Sequence, residues 1–245
     1  MDAVILAGGF ATRLYPLTLK QSKPLLKIAG QPCIYNILEG LFPLRRVGLN
    51  RIIVVSNEPF VSDFRNELSG PFPVDVVVES NGVRTLDEKL GAVGDMAFGA
   101  HYVEEGEPFW ILAGDNMHDF DLLAVHRRFE SLARAPVVVT HRAETLEEVA
   151  AYNNMALDSE GCIRAFEEKP ARPETTEFAT CIYEFPSDVR SALSQYLEEG
   201  NDPDKAGYFI AWLKDRRKVF AVEPEGKWFD IGSKEVMDLA DKYFS

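Results

Sequence analysis

The chain has 245 residues and carries 39 acidic against 26 basic side chains, a formal charge of -13. So acidic a protein is a poor partner for nucleic acid, whose binding rests on neutralising many phosphates with Lys and Arg. The length suits one substantial core over residues 1–245, read as a single domain, and no apolar run reaches the roughly 18 residues of a membrane span, so no membrane partner is expected.

In chain order, residues 4–7 (VILA) are apolar on both faces, which predicts a buried parallel strand. Gly8 and Gly9 end it, and a backbone without Cβ atoms there can turn sharply and bring its amides close to a ligand, as phosphate-cradling loops require. Residues 3–38 contain no Asp or Glu, yet hold Arg13, Lys20, Lys23 and Lys27. In an otherwise acidic protein such a window is where an anionic, phosphate-rich small molecule would be drawn.

A helix is expected over 32–42, a strand over 51–56, a helix over 61–68, a strand over 73–79, a helix over 88–102 and a strand over 109–113, which runs into Gly114, Asp115 and Asn116. Strands alternating with helices at this spacing predict an α/β fold with a Rossmann-like, mostly parallel twisted sheet flanked by helices. Ligands of such a sheet bind outside the carboxyl ends of its strands, where both the Gly8 loop and Asp115 fall. A helix over 122–133 and a strand over 137–141 follow. A hairpin of 155–158 and 162–168 around the turn 159–161, with a strand over 178–185, then predicts a small β-rich lobe. Helices over 188–199 and 208–214, a strand over 218–222 and a closing helix from Ser233 complete the chain.

Asp230, between Phe229 and Ile231, puts a charge in an apolar setting, which is costly unless it is paired or bound to metal. Two acids brought to one phosphate site suggest magnesium, which binds protein through one or two carboxylates while keeping waters and substrate oxygens. Cys33, Cys162 and Cys181 are odd in number and far apart, so they fit neither a disulfide framework nor a zinc cluster and read as buried or half-buried thiols. Met1-Asp2 leads straight into a strand without a basic-then-apolar leader, which predicts a cytoplasmic location.

Neither G-x-G-x-x-G nor G-x-x-x-x-G-K-[ST] occurs, which argues against a dinucleotide oxidoreductase and a kinase-type phosphate loop. Residues 8–26 instead resemble the signature of the sugar-1-phosphate nucleotidyltransferases, G-G-x-G-T-R-L-x-P-L-T followed by P-K-x-L-L. Gly8, Gly9, Thr12, Arg13, Leu14, Pro16, Leu17, Thr18, Lys23, Leu25 and Leu26 match it; Ala11 stands where the family usually has glycine, and Ser22 where it usually has proline. Asp115 and Asp230 match the two aspartates that hold the family's metal. Glu168-Lys169-Pro170 is similar to its E-K-P, residues 89–95 to its P-L-G-T-A-G loop near the base, and Tyr152-Asn153 to the Tyr-Gly beside its sugar.

The resemblance implies a nucleotide site of Leu6, Ala7, Gly8, Gly9, Thr12, Arg13, Gly91 and Asp115, with Arg13 and Lys23 as the catalytic cations. It implies a sugar-phosphate site of Asn153, Glu168, Lys169 and Thr180 in the β-rich lobe, and Mg2+ held by Asp115 and Asp230. The activity implied is transfer of a nucleotidyl group from a nucleoside triphosphate to a sugar 1-phosphate, glucose-1-phosphate thymidylyl transfer first, with uridylyl, cytidylyl or guanylyl transfer as alternatives. A non-catalytic nucleotide-sugar sensor would keep the glycine loop and lose a metal acid, whereas this chain retains both. Homo-oligomerisation stays open, and the end of the chain soon after Asp230 predicts no appended left-handed β-helix.

Overall fold

A computed structural model describes residues 1–245. In chain order its elements are β1 (Asp2–Ala7), β2 (Lys27–Ile28), β3 (Gln31–Pro32), α1 (Cys33–Leu41), β4 (Arg51–Ser56), α2 (Val61–Glu67), β5 (Asp75–Ser80), α3 (Gly91–His101), β6 (Phe109–Ala113) and β7 (Asn116–His118). There follow α4 (Leu122–Ser131), β8 (Val137–Arg142), α5 (Leu146–Val149), β9 (Asn153–Leu157), β10 (Ile163–Glu168), β11 (Glu177–Phe185), α6 (Val189–Glu198), α7 (Ala206–Lys214), β12 (Phe220–Val222), β13 (Trp228–Asp230) and α8 (Lys234–Phe244).

Seven strands form one sheet in the order β12-β8-β11-β6-β1-β4-β5. β6 lies at its centre; its neighbour β1 is parallel to both β6 and β4, and β4 is parallel to β5. This is the doubly wound arrangement expected from the alternation of apolar strands and amphipathic helices, and the expected fold class holds. Alternate side chains of each strand feed two cores. Ile5, Ile52 and Val54 face α1, α2 and α4, while Val4, Ile53 and Val55 face α3, α6 and α7.

β11 departs from the expectation. It leaves the small lobe and inserts antiparallel between β6 and β8, where both faces of this largely apolar run are buried and its polar members are paired, Thr180 with the Val139 carbonyl and Glu184 with His126. The lobe is thus the β9–β10 hairpin, with α7 packed on β10. α3 begins at Gly91, three residues later than the periodicity predicts. The φ of +78° at Gly91 breaks the helical path, and residues 86–88 form a separate turn closed by a Thr85–Glu88 capping box. The cysteines are buried at 33 and 162 and half-buried at 181, with no disulfide. No helix is long and apolar enough to cross a membrane.

Candidate active site at the carboxyl end of the sheet

At the carboxyl ends of β1 and β6 lies a crevice of ≈ 340 Å³. Leu6, Ala7, Gly9, Thr12, Arg13, Lys23, Asp115 and Asp230 line it, joined by Phe10 and Leu86, which the sequence did not single out. Of the four cations in the acid-free window, Arg13 and Lys23 reach this crevice. Lys20 faces a different surface hollow beside Asp63 and Glu67.

Local backbone chemistry builds the floor. Gly114 donates its N–H to the Leu6 carbonyl at 2.8 Å, and a Cβ at Gly114 would meet that same carbonyl oxygen and Pro24. Glycine is therefore what lets the end of β6 lie against β1 and the 23–25 turn. Gly8 is pressed in the same way against the carboxylate of Asp95 and the amide of Asn81. Asn81 Nδ2 donates to Asp95 Oδ1 at 2.8 Å and to Asn57 Oδ1 at 2.9 Å. Burial raises the pKa of Asp95 to about 6, against the opposing pull of the Asn81 hydrogen bond.

Asp115 and Asp230 meet because β13 pairs with β7. Asp230 is in register with Asn116, and Ile231 donates its N–H to the Asp115 carbonyl at 3.0 Å. Lys23 Nζ lies between the two carboxylates, 2.6 Å from Asp115 Oδ2 and 3.2 Å from Asp230 Oδ1. Burial pulls the pKa of the Lys23 ammonium down, but the charges of Asp115 and Asp230 outweigh it and leave the value above normal. Burial and then the neighbouring Asp115 charge raise the Asp230 carboxyl, partly offset by Lys23 and Arg13. Asp230 pairs with Lys23 across the fold rather than with its sequence neighbour Lys227.

Two carboxylates crowded at one point call for positive charge, and this donor set suits a hard divalent ion. No group of three or more His, Cys, Asp or Glu side chains is placed to hold a metal. A pair of carboxylates is what an ion that keeps waters and substrate oxygens requires.

The remaining residues of the expected site lie outside the lining of this crevice. Glu168, at the end of β10, packs its carboxylate against Gly207 at the start of α7. Burial raises its pKa, opposed by the charges of Lys205 and Lys169, so Lys205 joins Lys169 as a cation facing Glu168. Asn153 spends its amide on Ala179, donating to the carbonyl at 3.1 Å and accepting the N–H at 2.7 Å. Thr180 is buried and donates its hydroxyl to Val139 O at 2.9 Å. Ahead of α3, Gly91 lies against the Pro203 carbonyl, and the amides of Ala92 and Val93 are paired with Asp204 O and Pro203 O. Tyr152 stacks on Phe178 at 4.7 Å between centroids, with Trp228 edge-on, an aromatic wall between the hairpin and Asp230.

Three non-glycine residues border these sites in left-handed backbone: Ala11 (φ +45°), Lys169 (φ +50°) and Cys181 (φ +57°). Such conformations cost on the order of 1–2 kcal/mol each, and persist where surrounding structure imposes them, often at functional sites. Ala11 is the position where the resembled signature has glycine, and its positive φ gives the physical reason for that glycine.

The chain matches the nucleotidyl transferase family over residues 2–242 and belongs to it. It is 31% identical over 243 residues to a UTP–glucose-1-phosphate uridylyltransferase of Synechocystis, covering 95% of this chain and 60% of that one. It is 29% identical over 238 residues to the mannose-1-phosphate guanylyltransferase catalytic subunit beta of Drosophila pseudoobscura pseudoobscura, covering 94% and 58%. The chain thus spans about three-fifths of the length of these curated relatives. Among solved structures, a putative glucose-1-phosphate thymidylyltransferase from Bacillus anthracis superposes with a TM-score of 0.84 at 22% identity, over 100% of this chain and 95% of that one. A UDP-glucose pyrophosphorylase complexed with UDP-glucose gives 0.83 at 18%, over 99% and 97%. These likenesses confirm the fold.

Proposed function

We propose that residues 1–245 act as one magnesium-dependent nucleotidyltransferase domain that joins a nucleoside triphosphate to a sugar 1-phosphate. The observation that carries this reading is the convergence of Asp115, Asp230 and Lys23 on the crevice beside the Gly8-Gly9 loop. A phosphate oxygen of the sugar 1-phosphate attacks the α-phosphorus and forms the new P–O bond. The bond from the α-phosphorus to the bridging oxygen breaks, pyrophosphate leaves with the electron pair, and no covalent enzyme intermediate is needed.

Chemistry of this kind is chiefly positioning and neutralisation of developing charge. Arg13 and the free amides after Ala7 hold the triphosphate, Lys23 stabilises the transferring phosphate, and Lys169 grips the attacking phosphate while Glu168 receives sugar hydroxyls. Asp115 and Asp230 would hold Mg2+, which when bound supplies charge neutralisation on the phosphate oxygens. We take glucose 1-phosphate and thymidylyl transfer as the first pair to test; the names of the relatives make uridylyl and guanylyl transfer, to glucose or mannose 1-phosphate, the direct competitors. The supply of nucleoside triphosphates favours a cytoplasmic location.

The test is a matrix of nucleoside triphosphates against sugar 1-phosphates, read by pyrophosphate release. Release that requires both substrates and Mg2+ supports the reading, and the best pair identifies base and sugar. Tight nucleotide-sugar binding with no release for any pair would make the protein a sensor instead.

A further inference from the structure

We infer that Lys23 is the built-in counter-ion of the Asp115–Asp230 pair, and that it gives up that pair when a divalent cation binds there, which frees its ammonium for the anionic substrate. This inference rests on the proposed reading of the acid pair as a metal site. It adds a competition between lysine and metal for the same carboxylates.

The geometry supports exchange over a fixed structural ion pair. Lys23 is anchored in a short turn with Pro24 at its second position, so its backbone is held while its long side chain carries the charge. The Lys23 side chain is 12% exposed, and its ammonium makes its hydrogen bonds to Asp115 Oδ2 and Asp230 Oδ1 alone, with no neutral partner. Each carboxylate spends a single oxygen on Lys23. Asp115 Oδ1 and Asp230 Oδ2 have no protein hydrogen-bond partner and belong to side chains 31% and 35% exposed, open to the crevice.

The pair with Lys23 carries a net charge of about -1; without it, about -2, and close charges at a partly buried site are weakly screened. A dication entering the pair therefore meets an ammonium at hydrogen-bond distance from both of its ligands. Both charges cannot be accommodated at that point, and the flexible lysine is the one able to move. Its new position must offer anionic oxygens, which a triphosphate in the Gly8–Arg13 loop provides. Divalent cation and triphosphate should then bind with positive cooperativity, since each removes what disfavours the other.

The test needs no catalysis. Free Mn2+ is titrated by electron paramagnetic resonance into the wild type, Lys23→Met, Lys23→Gln and, as the control for the acid pair, Asp115→Asn, with folding checked by thermal melting. In parallel, reductive methylation of Lys23 in the wild type is followed by mass spectrometry with and without Mg2+, which needs no variant. Mn2+ binding at least tenfold tighter in both lysine variants, together with faster methylation of Lys23 in Mg2+, is the expected result. Equal Mn2+ affinities, or methylation unchanged or slowed by Mg2+, would overturn the exchange while leaving the acid pair as a metal site. Failure of every protein to bind Mn2+ would overturn the metal reading together with the exchange.

Discussion

Replacing Asp95 with asparagine isolates the cost of the buried carboxylate behind the glycine loop. Asp95 is 8% exposed and its one hydrogen-bond donor is Asn81; the substituted amide would keep the shape and could still accept from Asn81. Burial raises the Asp95 pKa from 3.8 to about 6, so the folded state holds its proton more tightly than the unfolded one. The contribution is fully favourable below the unfolded pKa and is lost as pH rises through the folded pKa. A shift of about two units corresponds to about 3 kcal/mol, so at about pH 8 the ionised wild type should be less stable than Asp95→Asn by about 2–3 kcal/mol. That margin should shrink toward zero at about pH 4, where the folded carboxyl is protonated and both side chains are neutral. Urea unfolding of both proteins across this range, at fixed ionic strength, reads the difference. A stability difference that does not change with pH, or a wild type more stable at the alkaline end, would refute the argument.

Lys23→Ala should lower turnover by roughly 100-fold, the scale of a lost transition-state stabiliser, in steady-state assays with both substrates saturating. Asp115→Asn and Asp230→Asn should each raise the metal requirement, and the double variant should be scarcely worse than the poorer single, as for residues acting as one unit; additive losses in Mg2+ titrations would contradict a shared ion. Lys169→Ala should raise KM for every sugar phosphate accepted, whereas Glu168→Gln should change the ranking among sugars, because a site built to bond a hydroxyl rejects analogues lacking it. Ala11→Gly should relieve the left-handed strain and stabilise the fold by up to about 1 kcal/mol, after allowing for the extra entropy of glycine in the unfolded chain, as measured by urea unfolding.

Much of the sheet was legible because its strands are buried on both faces: residues 51–56 and 109–113 fold with the expected bounds. The same property hid where β11 belongs, since an apolar run does not say which sheet will bury it. β7 and β13, three residues each, are too short for any periodicity, yet their pairing creates the acid site. Asp115 and Asp230 could be matched by motif, but their engagement by Lys23 is a contact across 92 and 207 residues of sequence that no local pattern carries. The Asn57–Asn81–Asp95 trio was illegible for a similar reason: each residue alone reads as a turn or helix-surface polar group, and only the fold stacks the three behind Gly8.

The β7–β13 ladder also sets when the site can exist. A chain growing from its amino terminus would present the glycine loop, Lys23 and Asp115 long before residues 228–230 are available to pair with 116–118. Until then Lys23 has one acid to face, Asp115, and the crevice lacks the Asp230 side chain that β13 brings to its lining. Synthesis past the ladder is thus the event that brings the second acid to Lys23 and completes the acid pair.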